Sequence, residues 1–366
     1  MSTVSLVRRC AHLLSVINLD YLVKVYILAF NAADLTIKKL FHSGEEKILF
    51  KTKICDLLGI KYPVLQGAMG VYADEKLIAA VSNAGGLGAI AAIMQTKENL
   101  KNRIRKVRRL TKKPFAVNIA GLTPGASEHY YKIAKILIEE GVEIVTTGKS
   151  DPREKTVQIL KENGIIVLPV VPSVELAKRV AKEGADGVIA SGAEAGGHVG
   201  DIATFALLPQ VVDAINIPVI AAGGIGDGRG LAAALALGAD GIQMGTRFIG
   251  SKESNAPDRV KEIILKTSEE DTTVTTMITG KTTRVIKDDY TEEWEKKTIE
   301  GMDNNELTRI RKRNLRKLKE DIANATVAAG QIVGMVKEIK GVQEIIEGII
   351  AGAEEAYNSL SGLRSD

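Results

Sequence analysis

Between Tyr62 and Phe248 the sequence repeats one pattern eight times: a short apolar run, a Gly-rich or polar turn, then an amphipathic stretch. The apolar runs are Tyr62–Ala68, Leu87–Ala92, Phe115–Ile119, Ile144–Gly148, Ile166–Val171, Gly187–Gly192, Pro218–Gly224 and Gly241–Phe248. Their starts lie about 21 to 31 residues apart, which is the length of one strand-plus-helix unit. The runs are continuous in Val, Ile, Ala and Leu rather than alternating, as strands buried on both faces must be. Eight such units predict an α/β fold, a closed (β/α)8 TIM barrel of parallel strands, with a doubly wound open sheet as the alternative.

The stretches between the runs predict helices. Leu100, Ile104, Val107 and Leu110 fall on one face at helical spacing, with Lys and Arg on the other. Thr96 and Ser173 stand where N-caps belong. Gly85–Gly86, Gly141, Gly164, Gly184 and Gly238 stand where each helix should stop. After Phe248 the pattern changes to a charged stretch, 251–316, with strand-like residues near Thr272–Thr276 and Thr283–Ile286. Two further helices are expected at Ile322–Val336 and Val342–Ala356. The Arg/Lys run from Arg309 to Lys319 reads as the solvated face of a helix. The expected organisation is therefore an N-terminal extension over 1–50 outside the catalytic fold, a barrel over 51–250, and a lid with C-terminal helices over 251–366.

Of the 366 residues, 49 are basic and 45 acidic, giving a formal net charge of +4. The basic residues are spread along helices and aromatics make up only 4%, so a nucleic-acid partner is not expected. The cysteines Cys10 and Cys55 show neither disulfide nor metal spacing, which points to a reducing cytoplasm. The apolar stretch from Val4 to Phe30 is interrupted by Arg8, Arg9, Asp20 and Lys24, short of the roughly 20 clean residues that a membrane span needs. It also lacks the form of a signal peptide, and an accessory segment is preferred over a transit peptide.

In a barrel, ligands meet the loops at the carboxyl ends of the strands. Here those ends carry Gln66-Gly67-Ala68-Met69, Asn118, Thr146-Thr147-Gly148, Pro172-Ser173, the stretch Ser191 to His198, Gly223-Gly224 and Gln243-Met244-Gly245-Thr246. They are rich in glycine and uncharged polar groups and almost free of carboxylates. They suit a large planar ligand held by backbone amides and do not suit a hard metal ion. Glycines at the ends of the last two strands, Gly223-Gly224 and Gly245-Thr246, are placed for a phosphate, the second just ahead of Arg247. No dinucleotide G-x-G-x-x-G is present. His198, flanked by Gly196, Gly197 and Gly200, is the candidate for catalysis or substrate contact, and Glu194 is the carboxylate beside it. The other histidines are His12 and His42 in the N-terminal extension and His129 at a helix start.

The stretches Gln66–Met69, Pro114–Ile119, Pro169–Ser173, Glu194–Gly200, Pro218–Gly224 and Gly245–Phe248 together resemble the nitronate monooxygenase (2-nitropropane dioxygenase) superfamily. Within it, Val170–Arg179 and Lys252–Ala256 look most like the enoyl-acyl-carrier-protein reductases of fatty-acid synthesis. The resemblance covers about residues 51 to 290 and returns at Ala328–Gly334. It implies flavin mononucleotide (FMN) as cofactor. Gly67, Ala68 and Met69 would lie against the ring and Asn118 at its polar edge. Gly192, Glu194, Gly197 and Gln243 would line the cofactor, with the phosphate at Gly223, Gly224, Gly245 and Thr246. His198 matches the superfamily's catalytic histidine. Ser191 departs from the acidic residue expected in the reductases, and Lys281–Asp321 matches only loosely. The implied activity is reduction of enoyl thioesters with NAD(P)H. Nitronate oxidation with oxygen is the alternative, and a phosphate-binding barrel without this chemistry is a third reading. Implied partners are an acyl-thioester or other small substrate, an acyl carrier protein and a second copy of the chain.

Overall fold

The structure is a computed structural model that describes residues 50–363 except 94, 121–126, 149–153 and 302. The extension over 1–49, with Cys10, His12 and His42, lies outside the described residues. Phe50–Asp366 forms one compact unit.

Eight parallel strands build the main sheet: β1 (Val64–Gln66), β2 (Gly88–Ala91), β3 (Phe115–Ile119), β4 (Ile144–Thr147), β5 (Ile166–Val171), β6 (Val188–Ser191), β8 (Val219–Ala222) and β9 (Gly241–Met244). Their order is β1-β9-β8-β6-β5-β4-β3-β2, with each consecutive pair parallel. The two ends meet through Leu65 and Leu87. There the Leu87 N–H donates to the Val64 carbonyl at 3.0 Å and the Gln66 N–H to the Leu87 carbonyl at 2.9 Å. The closed barrel, rather than the open sheet, is therefore the fold.

Most strands are buried along their whole length, which accounts for the unbroken apolar runs. Leu65, Ala89, Ala116, Ile144, Leu168, Ile189 and Ile220 fill the barrel interior, and Ile54 and Leu58 of helix α1 (Lys53–Leu58) pack into the same cluster. The outer layer comprises α2 (Glu75–Asn83), α3 (Lys97–Leu110), α4 (Ser127–Glu139), α5 (Glu154–Glu162), α6 (Val174–Lys182), α7 (Thr204–Ala214) and α8 (Gly228–Ala236). Thr96 and Ser173 cap α3 and α6, accepting from the Asn99 and Leu176 N–H groups at 3.2 and 3.3 Å. The five helix-stop glycines, Gly85, Gly141, Gly164, Gly184 and Gly238, all have positive φ, where a side chain would be strained. Leu110 departs from expectation: Leu100, Ile104 and Val107 are buried, but Leu110 ends the helix half-exposed.

Beyond β9 the chain makes the short helix α9 (Thr246–Ile249), so the apolar run to Phe248 is strand only as far as Met244. Helix α10 (Asp258–Lys266) leads into a hairpin of β10 (Thr272–Thr275) and β11 (Thr283–Ile286). Helices α11 (Asp289–Ile299) and α12 (Asn304–Glu320) follow, packing Trp294 and Ile310 on Met277, Ile278 and Val285 of the hairpin. The helix expected at Ile322–Val336 is absent. Two 3₁₀ turns, Ile322–Asn324 and Gln331–Met335, flank a segment whose glycine, Gly330, passes too close to Glu194 for a helix or a β-carbon. A β-carbon on Gly330 would lie 2.6 Å from the Glu194 carbonyl oxygen. Finally α13 (Val342–Ser361) packs against α8 and α2, the flanking helices of the shell, and so takes the eighth outer position. The segment 250–340 is thus inserted between the last strand and the last helix of the barrel. Among the described residues no helix is long and apolar enough to cross a membrane.

Candidate active site

A cavity of about 320 Å³ opens at the carboxyl ends of the strands, within the range of small-molecule sites. After β1 it is lined by Gly67, Ala68 and Met69, with Asn118 from β3 and Gln243 from β9. Glu194, Gly197 and His198 line it from the loop after β6, and Gly223, Gly224, Gly245 and Thr246 from the last two turns. The structure thus brings to one cavity every residue named as a cofactor-binding or catalytic candidate in the sequence save one. Gly192 is buried behind the wall, where a β-carbon would sit 2.1 Å from Thr204 Oγ1 and 2.4 Å from its backbone nitrogen.

The local reasons are visible residue by residue. Gln66 is buried; its Oε1 accepts from the Ala89 N–H at 2.9 Å and its Nε2 donates to the Gly67 carbonyl, pinning the β1 turn. Asn118 Nδ2 donates to Thr146 Oγ1 at 2.9 Å across adjacent strands, so its carboxamide enters the cavity in one orientation. Gly223 and Gly224 both have positive φ, at 92° and 70°. A β-carbon on Gly223 would lie 3.1 Å from the Ala195 nitrogen and from Thr204 Oγ1. Gly245 leads into α9, and Thr246 Oγ1 accepts from the Gly330 N–H at 2.9 Å. Arg247 donates to the Glu338 carbonyl at 3.5 Å and is not among the cavity-lining residues.

Glu194 is held by Thr204, whose N–H and hydroxyl donate to the carboxylate at 2.9–3.0 Å. The N–H is shared between both carboxylate oxygens and the hydroxyl is a second donor, so two groups of one residue hold the half-buried Glu194 in place. Arg284 of β11 reaches the same loop, donating through Nε to the Ala193 carbonyl and through Nη1 to Thr272 Oγ1, both at 3.0 Å. Burial holds its guanidinium below the usual range, partly opposed by the Glu194 charge. His198 lies in the two-residue strand β7 (Gly197–His198), paired antiparallel with β11, and its Nε2 is 2.7 Å from Thr279 Oγ1. At the far side Tyr72 lines the cavity with a buried hydroxyl that has no hydrogen-bond partner among the described residues. Burial pushes that phenol up to about 12.

Sequence reasoning missed Thr204, Thr279, Arg284, Gly330 and Tyr72. Thr204 looks like an ordinary helix start, and the lid residues have no local pattern that marks which loop they meet. His129 lies on α4.

Residues 51–352 match the family model described as nitronate monooxygenase. The chain belongs to the nitronate monooxygenase family. A structure of FabK from Thermotoga maritima is 41% identical, covers 86% of this chain and 99% of its own, and superposes with a TM-score of 0.80. A nitroalkane oxidase from Streptomyces ansochromogenes is 30% identical over 84% of this chain and 99% of its own, with a TM-score of 0.73. Among curated relatives, a 5-hydroxy-7a-methyl-1-oxo-octahydro-indene-4-carboxyl-CoA dehydrogenase of Rhodococcus jostii is 36% identical over 86% of this chain and 99% of its own. A probable nitronate monooxygenase of Staphylococcus saprophyticus is 35% identical over 84% and 99%. The chain is accordingly an oxidoreductase of a flavin-dependent family.

Proposed function

We propose that this chain is an FMN-dependent reductase of enoyl thioesters that draws electrons from NAD(P)H, with the barrel, residues 51–250 completed by α13, carrying the cofactor and the inserted segment 250–340 forming the lid. The observation that carries the reading is the likeness to FabK, an enoyl-acyl-carrier-protein reductase, over nearly the whole of that protein. The Rhodococcus relative is named for a CoA thioester, which supports an activated acyl group as substrate.

The site fits the cofactor. Gly223 and Gly224, both at positive φ, turn the backbone along the cavity wall, and with Gly245 and Thr246 they suit a phosphate held by backbone amides. Gly67, Ala68 and Met69 offer a flat wall with no charge, and Asn118 a fixed polar contact. Bound there, FMN supplies the electron-pair transfer from NAD(P)H to the enoyl group. The chain's own part is to orient. The segment carrying Ala328 and Gly330 lines the cavity, and the hairpin holds His198 at its wall by pairing β11 with β7. His198 holds a proton beside the substrate, where the thioester gains negative charge as it is reduced. Glu194, held by Thr204, stiffens the loop that presents His198. The mildly basic chain fits a cytoplasmic enzyme meeting an acidic acyl carrier.

Nitronate oxidation is the second reading, favoured by the Staphylococcus relative and the nitroalkane oxidase structure. There His198 would take the proton from the carbon acid. Steady-state turnover separates the two. The reductase reading expects NAD(P)H consumption that depends on crotonyl thioester and falls at least about 100-fold in His198→Ala. Oxygen uptake with propyl nitronate, and no thioester-dependent NAD(P)H consumption, would replace it with the second.

A further inference from the structure

We infer that Thr204 is a positioning residue for the cofactor's phosphate: its hydroxyl braces the Gly223-Gly224 turn against the loop that carries Glu194 and His198. This role rests on the FMN reading of the cavity given above.

Two strand ends run side by side here. β6 ends at Ser191 and its loop continues through Gly192 to Glu194, while β8 ends at Ala222 and turns at Gly223 and Gly224. Ser191 and Ala222 are the last ladder pair, and one residue further the Gly192 N–H donates to the Ala222 carbonyl at 2.9 Å. The seam between loop and turn is too narrow for added side chains. A β-carbon on Gly223 would lie 3.1 Å from the Ala195 nitrogen and 3.2 Å from the Gly192 carbonyl oxygen, and one on Gly224 would lie 3.4 Å from Glu194 Oε1.

The Thr204 hydroxyl fills this seam. Thr204 is buried and begins α7, whose Leu207, Leu208 and Val211 pack in the core, so the hydroxyl is anchored from behind. It has its place because Gly192 carries no side chain.

Oγ1 has three acceptors within reach: Glu194 Oε2 at 2.9 Å, the Gly223 carbonyl at 3.0 Å and the Ala222 carbonyl at 3.2 Å. A hydroxyl has one proton, so these three share it. They do not depend on it equally. Glu194 also accepts from the Thr204 backbone N–H, and Ala222 also accepts from Gly192. Among the described residues no second donor reaches the Gly223 carbonyl. Losing the hydroxyl therefore leaves the loop one hold and the turn none at that carbonyl. The turn is also the element least able to hold itself. Gly223 and Gly224 stand at φ 92° and 70°, and consecutive glycines have more conformational freedom than any other pair. A turn that presents backbone amides to an anion gains affinity when it is held in place beforehand. Thr204 supplies that hold without touching the phosphate.

The test is flavin binding to the full-length protein freed of bound flavin, followed by the flavin's fluorescence. FMN and riboflavin differ only in the phosphate, so the ratio of their Kd values reads the phosphate site alone. In Thr204→Val the parent's preference for FMN over riboflavin should shrink about tenfold, the size of one lost hydrogen bond, with riboflavin affinity changed less than about twofold. Thr204→Ser, which keeps the hydroxyl, should retain the preference to within about twofold. A Val variant that keeps the parent's preference, or that loses affinity for both flavins alike, overturns the proposal. If Thr204→Val does not fold, Thr204→Ala, which keeps the backbone N–H to Glu194, takes its place with the same expectation. A parent that binds FMN no tighter than riboflavin also overturns it, with the flavin site itself intact. A parent that binds neither flavin overturns the FMN reading and this role with it.

Discussion

Glu194 and Tyr72 line the same cavity and have opposite fates. Glu194 is half-buried and its carboxylate accepts from the N–H and hydroxyl of Thr204. Tyr72 is 4% exposed, and its hydroxyl meets no partner among the described residues. An unanswered buried hydroxyl costs about 1–3 kcal/mol, so Tyr72→Phe should leave the fold as stable or about 1 kcal/mol more stable near neutral pH. The pH dependence has a definite sign. The folded phenol titrates near 12, above the usual 10, so below pH 10 the group is neutral in both states and contributes no slope. Between pH 10 and 12 only the unfolded phenol ionises, and stability falls as pH rises, by up to about 2–3 kcal/mol. Urea unfolding of parent and Tyr72→Phe at pH 8 and pH 11 checks this. The advantage of the variant should widen at the higher pH, and an equal difference at both would refute it.

Most of the cavity wall was legible in the sequence, for a physical reason. A strand end in a barrel delivers its next residues to one mouth, so Gly67, Asn118, Gly223 and Gly245 converge whatever their separation along the chain. Gly192 stands behind the wall, because a glycine that faces a ligand and a glycine required by a neighbouring side chain look alike in sequence. Here the neighbour is Thr204, twelve residues on. Thr279 and Arg284 were not legible at all, because pairing β11 with β7 is a long-range choice that no local pattern records.

At the scale of elements, all eight strands were readable, since burial on both faces leaves an unbroken apolar run. Their ends were less so, because the final residues of several runs turn into the site, as Gly245–Phe248 does. The stretch Ile322–Val336 looks helical in the sequence, yet Gly330 serves close passage beside the 194–196 loop and Gly334 beside Glu269. Helix α13 was foreseen as a helix but not as the eighth member of the shell. Its contact with α8 is unusually close. A β-carbon on Gly228 would lie 2.4 Å from both the Ile349 carbonyl and the Ala353 nitrogen. Alanine normally gains up to about 1 kcal/mol over glycine in a helix. At Gly228 the clash is with backbone, which cannot swing aside, so Gly228→Ala should cost about 2–3 kcal/mol net. Denaturant unfolding measures it, and a loss under about 0.5 kcal/mol would mean the two helices separate freely.

At the scale of the whole molecule, the barrel and the lid divide the work. The barrel supplies a glycine-lined cradle at the mouth, and the insertion between β9 and α13 supplies the partners of His198 and of the 193–198 loop. The central claim concerns which molecule gives electrons to the cofactor and which receives them. It is tested most directly by mixing the flavin-loaded protein with NADH in the absence of oxygen, then adding crotonyl thioester, while following the flavin's visible absorbance. The account expects the colour to bleach with NADH, and with NADPH in its place if that is the preferred donor, and to return on adding the thioester. Absorbance that neither nucleotide changes, but that a nitronate bleaches, would contradict it.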